Sequence, residues 1–284
     1  MEAGRYATAM AEPSVPISVI VPFYHGEKYL PDLVSALRAQ GDVEAVIVVD
    51  GGAGLAAVRE AVSTLPDAKV VSTPTPLGTA GARNVGSEAA TRHWITFLDQ
   101  DDALPEAMLA ELLTDDTDRV IAYDNDLLEE VAGAVTAAGL TVFEKAAWTR
   151  EAIGRCDAEL LLDGFPMVKL VLPRRWFRDV GSFDASVFAV EDFDLVWRLL
   201  SAGHVMTFAR APRGRYVVRP GSITGRIARG ETGPTVQAQR SWLRVWTHFA
   251  LRGSFPLRAR LGAARKALGS VRRLVGLSLR RLLR

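Results

Sequence analysis

Short apolar runs alternate with amphipathic segments over the first hundred residues, and this alternation constrains the fold more than any other feature. The runs ISVIV at 17–21 and VEAVIVV at 43–49 are rich in β-branched residues, as is typical of strands buried on both faces of a parallel sheet. Between them, the apolar residues of 28–39 recur at helical spacing. The sequence therefore predicts a strand, a helix and a second strand in succession.

The alternation of strand-like and helix-like segments continues to residue 98. Elements that follow one another at such short intervals predict a doubly wound, open α/β sheet flanked by helices. A chain of 284 residues is long enough for one such domain with appendages. The segment 114–165 is too irregular to assign. The remaining predicted elements are helices at 55–63, 82–90 and 191–202, and strands at 68–72, 94–98 and within 168–177.

Composition excludes several other classes of protein. The chain is 49% hydrophobic and 24% charged, which is ordinary for a globular protein and unlike disordered or collagen-like chains. Its single cysteine, Cys156, cannot form an intramolecular disulfide, which fits a reducing compartment. No uninterrupted apolar run reaches the roughly 18 residues of a membrane-spanning helix, and the start lacks the pattern of a signal peptide. We therefore expect a cytoplasmic protein.

Charge is divided unevenly along the chain. Of the 34 Lys and Arg residues, 12 lie between Thr232 and Arg284, where there is no Asp or Glu, so residues 1–231 carry 22 basic and 33 acidic side chains. Within 257–284, leucines and valines recur at helical spacing among arginines. This pattern predicts a basic amphipathic helix that either lies on an anionic membrane surface, peripheral on the inner face of the cell membrane, or packs on the acidic body. Nucleic acid is not an expected partner, because no aromatic residue follows Phe255.

Polar and aromatic residues follow the predicted strands at the points where those strands end. Pro22, Phe23 and Tyr24 follow the first strand, Asp50 follows the second, and DQDD at 99–102 follows the fourth. Ligands of open α/β sheets bind beyond the carboxyl ends of the strands. We therefore expect these three groups to converge on one ligand site.

The segment TFLDQDDALP places three carboxylates within four positions, those of Asp99, Asp101 and Asp102. Like charges this close repel one another, and a hard divalent cation such as Mg²⁺ or Mn²⁺, which takes oxygen ligands, would offset that repulsion. The alternative is a solvated turn in which Asp102 caps a helix near Pro105.

Two further segments carry candidate site residues. Arg83 lies in the glycine-containing stretch LGTAGARNVG, where a guanidinium and the free backbone N–H groups of a helix start would suit a diphosphate. Glu191, Asp192 and Asp194 open the predicted helix at 191–202. One of these carboxylates would serve as a general base. The alternative is that all three are there because the positive end of the helix dipole stabilises acidic side chains.

A rival pattern points to a different class of ligand. Gly52, Gly54 and Ala57 match the dinucleotide fingerprint G-x-G-x-x-A after a strand. Two features count against it: the preceding strand is the second of the chain, and no acidic residue ends a strand about 20 positions further on. An oxidoreductase that uses a nucleotide cofactor is therefore only a third hypothesis.

Taken in order and spacing, these segments resemble the inverting family 2 glycosyltransferases of the single-addition bacterial type. The resemblance covers about residues 15–225 and implies a GT-A fold, a Rossmann-like open mixed sheet that binds a nucleotide-diphosphate sugar. The matching segments are PISVIVPFYHGEKYL, VIVVDGG, LGTAGARNVG, FLDQDD, RRWFRDVGSFD and VEDFDLVWRL.

The resemblance implies roles for the residues that match these motifs. Pro22, Phe23, Tyr24 and Asp50 would form the nucleobase and ribose pocket, Arg83 would contact ribose or phosphates, and Asp192 would be the catalytic base. Asp99 and Asp101 would be the D-x-D motif, with Asp101 the direct ligand of Mg²⁺ or Mn²⁺. The implied reaction is a single displacement with inversion, from a donor that is most often a UDP-sugar to a hydroxyl acceptor, in cell-envelope polysaccharide or glycolipid assembly.

Three residues depart from the family pattern. His25 stands where Asn is more frequent, Ala53 where Ser is usual, and Arg219 where the family often has His. Arginine stays protonated and does not ligate a cation. We therefore expect Arg219 to contact the donor diphosphate and the dependence on metal to be less strict.

The acceptor side is less defined in the sequence. Glu191 and the aromatic residues Trp148, Phe165 and Trp176 are candidates for binding an acceptor saccharide, because aromatic faces suit sugar rings, and core packing is the alternative. A catalytically silent protein that binds nucleotide sugar or scaffolds an assembly at the membrane is the alternative function. The expected segments are a flexible N-terminus at 1–14, a glycosyltransferase domain at 15–230 with a donor half at 15–113 and an acceptor half at 114–230, and a basic helical tail at 231–284.

Overall fold

The computed structural model describes residues 16–114, 118–132, 134–145, 152–153, 158–163, 169–252 and 254–282. The expected flexible segment at 1–14 lies outside these residues. The strands are β1 (Ile17–Phe23), β2 (Glu44–Val49), β3 (Ala68–Ser72), β4 (Trp94–Phe97), β5 (Val120–Val131), β6 (Ala134–Thr141), β7 (Ala152–Ile153), β8 (Lys169–Pro173) and β9 (Met206–Val218). The helices are α1 (Leu30–Arg38), α2 (Leu55–Val62), α3 (Gly78–Ala89), α4 (Met108–Leu112), α5 (Val142–Lys145), α6 (Leu160–Asp163), α7 (Arg174–Asp179), α8 (Glu191–Ser201), α9 (Ile223–Ala228), α10 (Thr232–Arg252) and α11 (Leu257–Leu282).

The described strands form one open, mixed sheet in the order β3-β2-β1-β4-β8-β5-β9-β7, with β6 paired to β5. The first four strands of this order are parallel, and β8 runs antiparallel to both β4 and β5. Because β9 is parallel to β5, the carboxyl ends of β1, β2, β4 and β9 meet the amino end of β8 at one edge. The predicted α/β class is confirmed, and this edge is where the site is built.

The sheet separates two apolar cores, as its alternating side chains require. Ile17, Val19 and Val21 of β1 face one core together with α1 and α2, whereas Ile20 faces the other core, to which α8, α10 and α11 contribute. The predicted elements before residue 98 are all present within a few residues of their expected bounds, although α3 begins at Gly78 instead of residue 82. The segment predicted as a strand and turn at 168–177 is the strand β8 followed by the helix α7.

Gly86 allows α3 to lie unusually close to the sheet. A Cβ atom at this position would stand 2.4 Å from Cγ2 of Ile20 and 3.1 Å from Cγ2 of Val48. The helix that carries Arg83 is therefore held against β1 and β2 at a distance that only glycine permits.

The C-terminal tail is two helices, α10 and α11, that pack against each other. On α11, Ala259, Ala263 and Ser270 are buried and define the face that packs on the body. The opposite face is solvent-exposed and apolar, with Leu257 at 67% and Leu268 at 62% exposure. Among the described residues, no helix combines the length and hydropathy needed to cross a bilayer.

Replacing Gly86 by Ala should lower the free energy of unfolding by about 1–3 kcal/mol, because the added methyl group overpacks the contact with Ile20. Gly269→Ala is the matched control, since nothing lies within 4 Å of a Cβ at that helical position, and it should cause no loss because alanine favours the helix. Urea unfolding of both variants measures the difference. Equal stability of the two variants would contradict the close approach of α3.

Candidate active site

Two adjoining cavities open at the sheet edge where the strand ends meet. The first, of about 420 Å³, lies beyond β1 and β2, and we call it the β1–β2 cavity. The second, of about 230 Å³, lies at the start of α8, and we call it the α8 cavity. Their shared wall consists of Thr79, Asp99, Asp101, Ser222 and Ile223.

The β1–β2 cavity is lined by Pro22, Phe23, Tyr24 and Asp50. The ends of the first two strands therefore lie close together, as predicted. The carboxylate of Asp50 is buried and accepts three hydrogen bonds. Their donors are the Thr73 hydroxyl at 2.9 Å and the backbone N–H groups of Leu77 at 2.8 Å and Gly78 at 2.9 Å. Asp50 thus fixes the loop before α3, and with it the start of the helix that carries Arg83.

Gln100, a residue that the sequence did not single out, joins the D-x-D loop to the end of β1. Its Oε1 accepts from the backbone N–H of Tyr24 at 2.9 Å, and its Nε2 donates to the carbonyl of Tyr24 at 3.1 Å. The ring of Tyr24 is half exposed and contacts the His25 ring edge to face. The pair of hydrogen bonds therefore fixes the backbone of Tyr24 while its ring stays open to a ligand.

Asp99 lies between two cations. Its Oδ1 accepts from Arg83 Nη2 at 2.7 Å, and its Oδ2 accepts from Lys169 Nζ at 2.5 Å. Burial by itself would raise the pKa of Asp99, but the charges of Lys169 and Arg83 outweigh it and hold that pKa well below its usual range. Both oxygens of this carboxylate are thus engaged by protein groups.

Lys169 also pairs with Asp102, and this corrects the interpretation of Asp102 as a helix cap. Its Nζ lies 2.8 Å from Asp102 Oδ2, whereas α4 begins only at Met108. Burial raises the pKa of Asp102 to about 6, with Lys169 opposing and Asp99 reinforcing that rise. Burial would lower the pKa of Lys169, but Asp102 and Asp99 raise it well above its usual value, which keeps the ammonium group charged.

Arg83 connects the D-x-D motif to the start of α8. The residue is 4% exposed, and its Nη1 lies 3.4 Å from Asp192 Oδ1 and 3.6 Å from Glu191 Oε1. Burial would lower the pKa of Arg83, but Asp99, Asp192 and Glu191 raise it. A buried guanidinium with three carboxylates around it stays charged and fixes their relative positions.

The two carboxylates at the start of α8 have raised pKa values. Burial, reinforced by the charge of Asp192, raises the pKa of Glu191 to about 7. Burial also raises the pKa of Asp192, although Arg83 and Lys169 oppose this rise. Asp194 belongs to a different contact, because it forms an ion pair with Arg198, at 2.7 Å. Of these three carboxylates, Glu191 and Asp192 line the α8 cavity and Asp194 does not.

Arg219 holds Asp101 instead of lining either cavity. Its Nε donates to Asp101 Oδ2 at 2.7 Å, its NH1 donates to Glu130 Oε2 at 2.7 Å, and its guanidinium lies over the ring of Tyr29. The direct contact of Arg219 with a donor diphosphate stays a prediction. In the structure, its hydrogen bond fixes the position of Asp101, the second aspartate of the D-x-D motif.

A divalent cation would fit this site only with help from a ligand. Among the described residues, no group of three or more His, Cys, Asp or Glu side chains is arranged to hold a metal. Asp99 has both oxygens in ion pairs, whereas Asp101 has only Oδ2 engaged by a described contact. Mg²⁺ is commonly held by one or two carboxylates together with substrate phosphates. The residues therefore fit a cation held by Asp101 and the oxygens of a bound diphosphate.

The aromatic residues around the α8 cavity differ from those predicted. Trp148 and Phe165 lie outside the described residues. Trp176 stacks on His204 at a ring distance of 3.9 Å and packs against the core, away from the described cavities. Trp242 of α10 lines the α8 cavity instead. No pattern in the sequence brought Trp242 to this site, because its position depends on how α10 packs against α8.

The glycines of the rival dinucleotide fingerprint have a local structural role. Gly52 and Gly54 have positive φ angles, and Gly54 precedes α2. A Cβ atom at Gly54 would lie 2.4 Å from Glu27 Oε1. Gly52, Gly54 and Ala57 line neither the β1–β2 cavity nor the α8 cavity. These glycines serve a tight turn and a close contact, and a dinucleotide site finds no support here.

Comparison of the sequence with known families and proteins agrees with this geometry. The model of glycosyl transferase family 2 matches residues 18–123. The pre-mycofactocin glycosyltransferase of Mycobacterium tuberculosis is 28% identical over 191 residues, which are 66% of this chain and 39% of that protein. The succinoglycan biosynthesis protein ExoO of Rhizobium meliloti is 25% identical over 238 residues, 80% of this chain and 67% of that protein. The chain thus spans about two fifths of its mycobacterial relative.

Solved structures share the fold at low sequence identity. Residues 1–349 of S. aureus TarS in complex with UDP-GlcNAc superpose with a TM-score of 0.66 at 16% identity, covering 89% of this chain and 72% of that one. The mannosyltransferase PcManGT from Pyrobaculum calidifontis, in complex with GDP-Man and Mn²⁺, gives a TM-score of 0.58 at 17% identity, covering 92% and 78%. With the motifs in place at one sheet edge, residues 18–123 are similar to glycosyl transferase family 2, and the chain has the GT-A fold.

Proposed function

We propose that this chain transfers a sugar from a nucleotide-diphosphate sugar to a hydroxyl group, with inversion at the anomeric carbon. One observation carries the proposal: Arg83 bridges Asp99, on the wall between the two cavities, and the carboxylates of Glu191 and Asp192. A sugar held at this wall would have the nucleoside diphosphate of the donor on one side and a general base on the other. That is the arrangement which an in-line displacement needs.

The β1–β2 cavity would hold the nucleoside. Phe23 and Tyr24 offer aromatic faces for a base, and Asp50 lies on the cavity wall with the loop that it fixes. A uridine nucleotide is our proposal, because TarS is described in complexes with UDP and UDP-GlcNAc. The described binding of GDP-Man by PcManGT makes guanosine the competing base.

The diphosphate would lie at the shared wall of the cavities. Asp101 would hold Mg²⁺ or Mn²⁺ there, and the cation would supply positive charge to the departing diphosphate. Arg219 keeps Asp101 in place, while Asp99 is neutralised by Arg83 and Lys169. We therefore propose that Asp99 organises the site and that Asp101 is the direct ligand.

Asp192 would act as the general base. The acceptor oxygen forms a bond to the anomeric carbon while the bond from that carbon to the β-phosphate oxygen breaks, so the electron pair leaves with the nucleoside diphosphate. The acceptor proton passes to the Asp192 carboxylate, whose raised pKa favours accepting it. Glu191, on the same cavity wall, would orient the acceptor hydroxyl.

Replacing Asp192 by Asn should lower kcat by about 10²–10⁴-fold, the usual contribution of a general base, and leave nucleotide binding unchanged. Glu191→Gln, which removes a charge from the neighbouring position, should raise the acceptor KM by up to about tenfold through one lost hydrogen bond. For both variants, the release of nucleoside diphosphate measures sugar transfer, and calorimetry measures nucleotide binding. Full turnover by Asp192→Asn would refute the assigned base. Nucleotide binding without turnover in the unchanged protein would indicate a silent nucleotide-sugar-binding protein.

The same mechanism sets the expected dependence on pH. The base must be ionised, so kcat/KM should fall as pH drops through the raised pKa values of the pair, Glu191 at about 7 and Asp192 above its usual value. The apparent pKa belongs to the coupled pair and not to either residue alone. Activity that stays flat down to pH 5 would contradict this assignment.

We also propose that α11 binds an anionic membrane surface. Leu257, Leu261, Leu268 and Val275 are exposed and lie on one face of the helix, opposite the face that packs on the body. Arg258, Arg265 and Arg272 run along the flank of this apolar stripe at helical spacing. An apolar stripe with a basic flank is the pattern of an interfacial helix. The relative named for succinoglycan biosynthesis supports a place in polysaccharide assembly.

The double replacement Leu268→Ser and Val275→Ser should weaken binding to vesicles of mixed phosphatidylglycerol and phosphatidylcholine by at least about tenfold, because burial of each apolar side chain contributes about 1.5–3 kcal/mol. Val135→Ser with Val205→Ser is the matched control, since both valines are exposed on the body. Co-sedimentation at two salt concentrations measures the effect. The proposal fails if the chain binds no vesicles, or if the α11 variant binds as well as the control.

A further inference from the structure

A third cavity, of about 310 Å³, continues from the α8 cavity along the C-terminal helices. It lies between α6, α10 and α11, and Trp242 belongs to the walls of both cavities. A fourth cavity, of about 270 Å³, follows along the same two helices and shares Arg273 with the third. We call the third and fourth cavities together the α10–α11 groove. The polar groups on its walls include those of Thr235, Gln239, Lys266 and Arg273.

The charged side chains on the described walls of the groove are all positive. Arg265, Lys266 and Arg273 line it, and no carboxylate lies on its described walls. Within the part of the chain that the structure describes, none of these three cations forms an ion pair with an acidic side chain. Elsewhere on the body, arginines such as Arg226 and Arg244 do pair with acidic neighbours. The groove therefore offers positive charge to an external anion.

The floor of the groove is aromatic near the catalytic end. The indoles of Trp242 and Trp246 are stacked, with ring centroids 5.3 Å apart and planes 14° from parallel. Phe193, the residue after Asp192, contacts both of them edge to face. Aromatic faces with a polar edge suit the apolar faces of sugar rings. The packing of Phe193 against these indoles links the start of α8 directly to the groove.

Two buried polar atoms lie further along the groove. Oγ1 of Thr235 and Oε1 of Gln239 are buried, and among the described residues nothing donates to or accepts from them. Both residues line the fourth cavity. Buried polar atoms are normally satisfied, so each unpaired one needs an explanation, and a polar ligand in the groove would supply one.

We propose that the α10–α11 groove binds the phosphate-bearing part of the acceptor saccharide, with the accepting hydroxyl at Asp192. The inference rests on the proposed function, because it names the acceptor class of the same active site. Sugar rings would pack along Trp242, and phosphate oxygens would accept hydrogen bonds from Lys266 and Arg273. Phosphate of this kind occurs both in lipid-linked saccharides and in soluble saccharide phosphates.

Three matched probes separate these sources. They are a disaccharide joined through diphosphate to a decyl chain, the same disaccharide diphosphate with a methyl group in place of the chain, and the decyl disaccharide without phosphate. Binding to the full chain would be measured by calorimetry in the presence of saturating UDP, so that the donor site does not take up the diphosphate. The groove variant is Lys266→Gln with Arg273→Gln. The control is Arg240→Gln with Arg252→Gln, which removes the same charge from exposed residues of α10 that do not line the groove.

Both phosphate-bearing probes should bind the unchanged protein, and the groove variant should bind them about tenfold more weakly while the control does not. Tighter binding of the decyl probe would identify a lipid-linked acceptor, and equal binding of the two would identify a soluble one. Equal affinity for the phosphate-free probe, or an equal loss in the control, would overturn the proposal. Nucleotide binding tests the proposed function separately. If no nucleotide binds, but the groove variant still binds the phosphate-bearing probes more weakly than the control does, the proposed function is refuted and the phosphate site in the groove is supported.

Discussion

The paired contact of Asp99 with Lys169 and Arg83 is the interaction on which the rest of the site depends. A buried carboxylate is tolerated only when cations and hydrogen bonds compensate for its lost hydration. Here one cation comes from the amino end of β8 and the other from α3. Removing either would leave this partly buried carboxylate with a single cation, so the two elements must keep their present positions against the end of β4.

This constraint extends outward through each cation. Lys169 also binds Asp102, which fixes the loop after Asp101, while Arg83 also meets Glu191 and Asp192. The D-x-D motif and the start of α8 are thereby held at fixed positions before any substrate arrives. Charged groups positioned in advance stabilise developing charge without reorganising during the reaction. The same network explains why two carboxylates on α8 have raised pKa values, because burial opposes ionisation and the nearest cation is shared with Asp99.

The sequence predicted the half of the site that depends on local pattern. β-branched runs and helical periodicity located β1 to β4, and the rule for strand ends located Asp50 and the D-x-D motif. It missed Lys169, because an isolated lysine at the start of a strand carries no signal until β8 is known to run antiparallel beside β4. It missed Trp242 for a similar reason, since α10 reaches the site only through tertiary packing. The assignment of Trp176 to an acceptor platform relied on residue type alone, and the structure packs that indole against His204.

Calorimetric binding of uridine, guanosine and thymidine diphosphates, each with Mn²⁺ and with a chelator, tests the central claim most directly. The account predicts that one of these nucleotides binds, that Mn²⁺ strengthens its binding, and that Asp101→Ala removes the effect of Mn²⁺. Failure of all three nucleotides to bind would contradict a donor site in the β1–β2 cavity. Binding of NAD in their place would contradict the glycosyltransferase function itself.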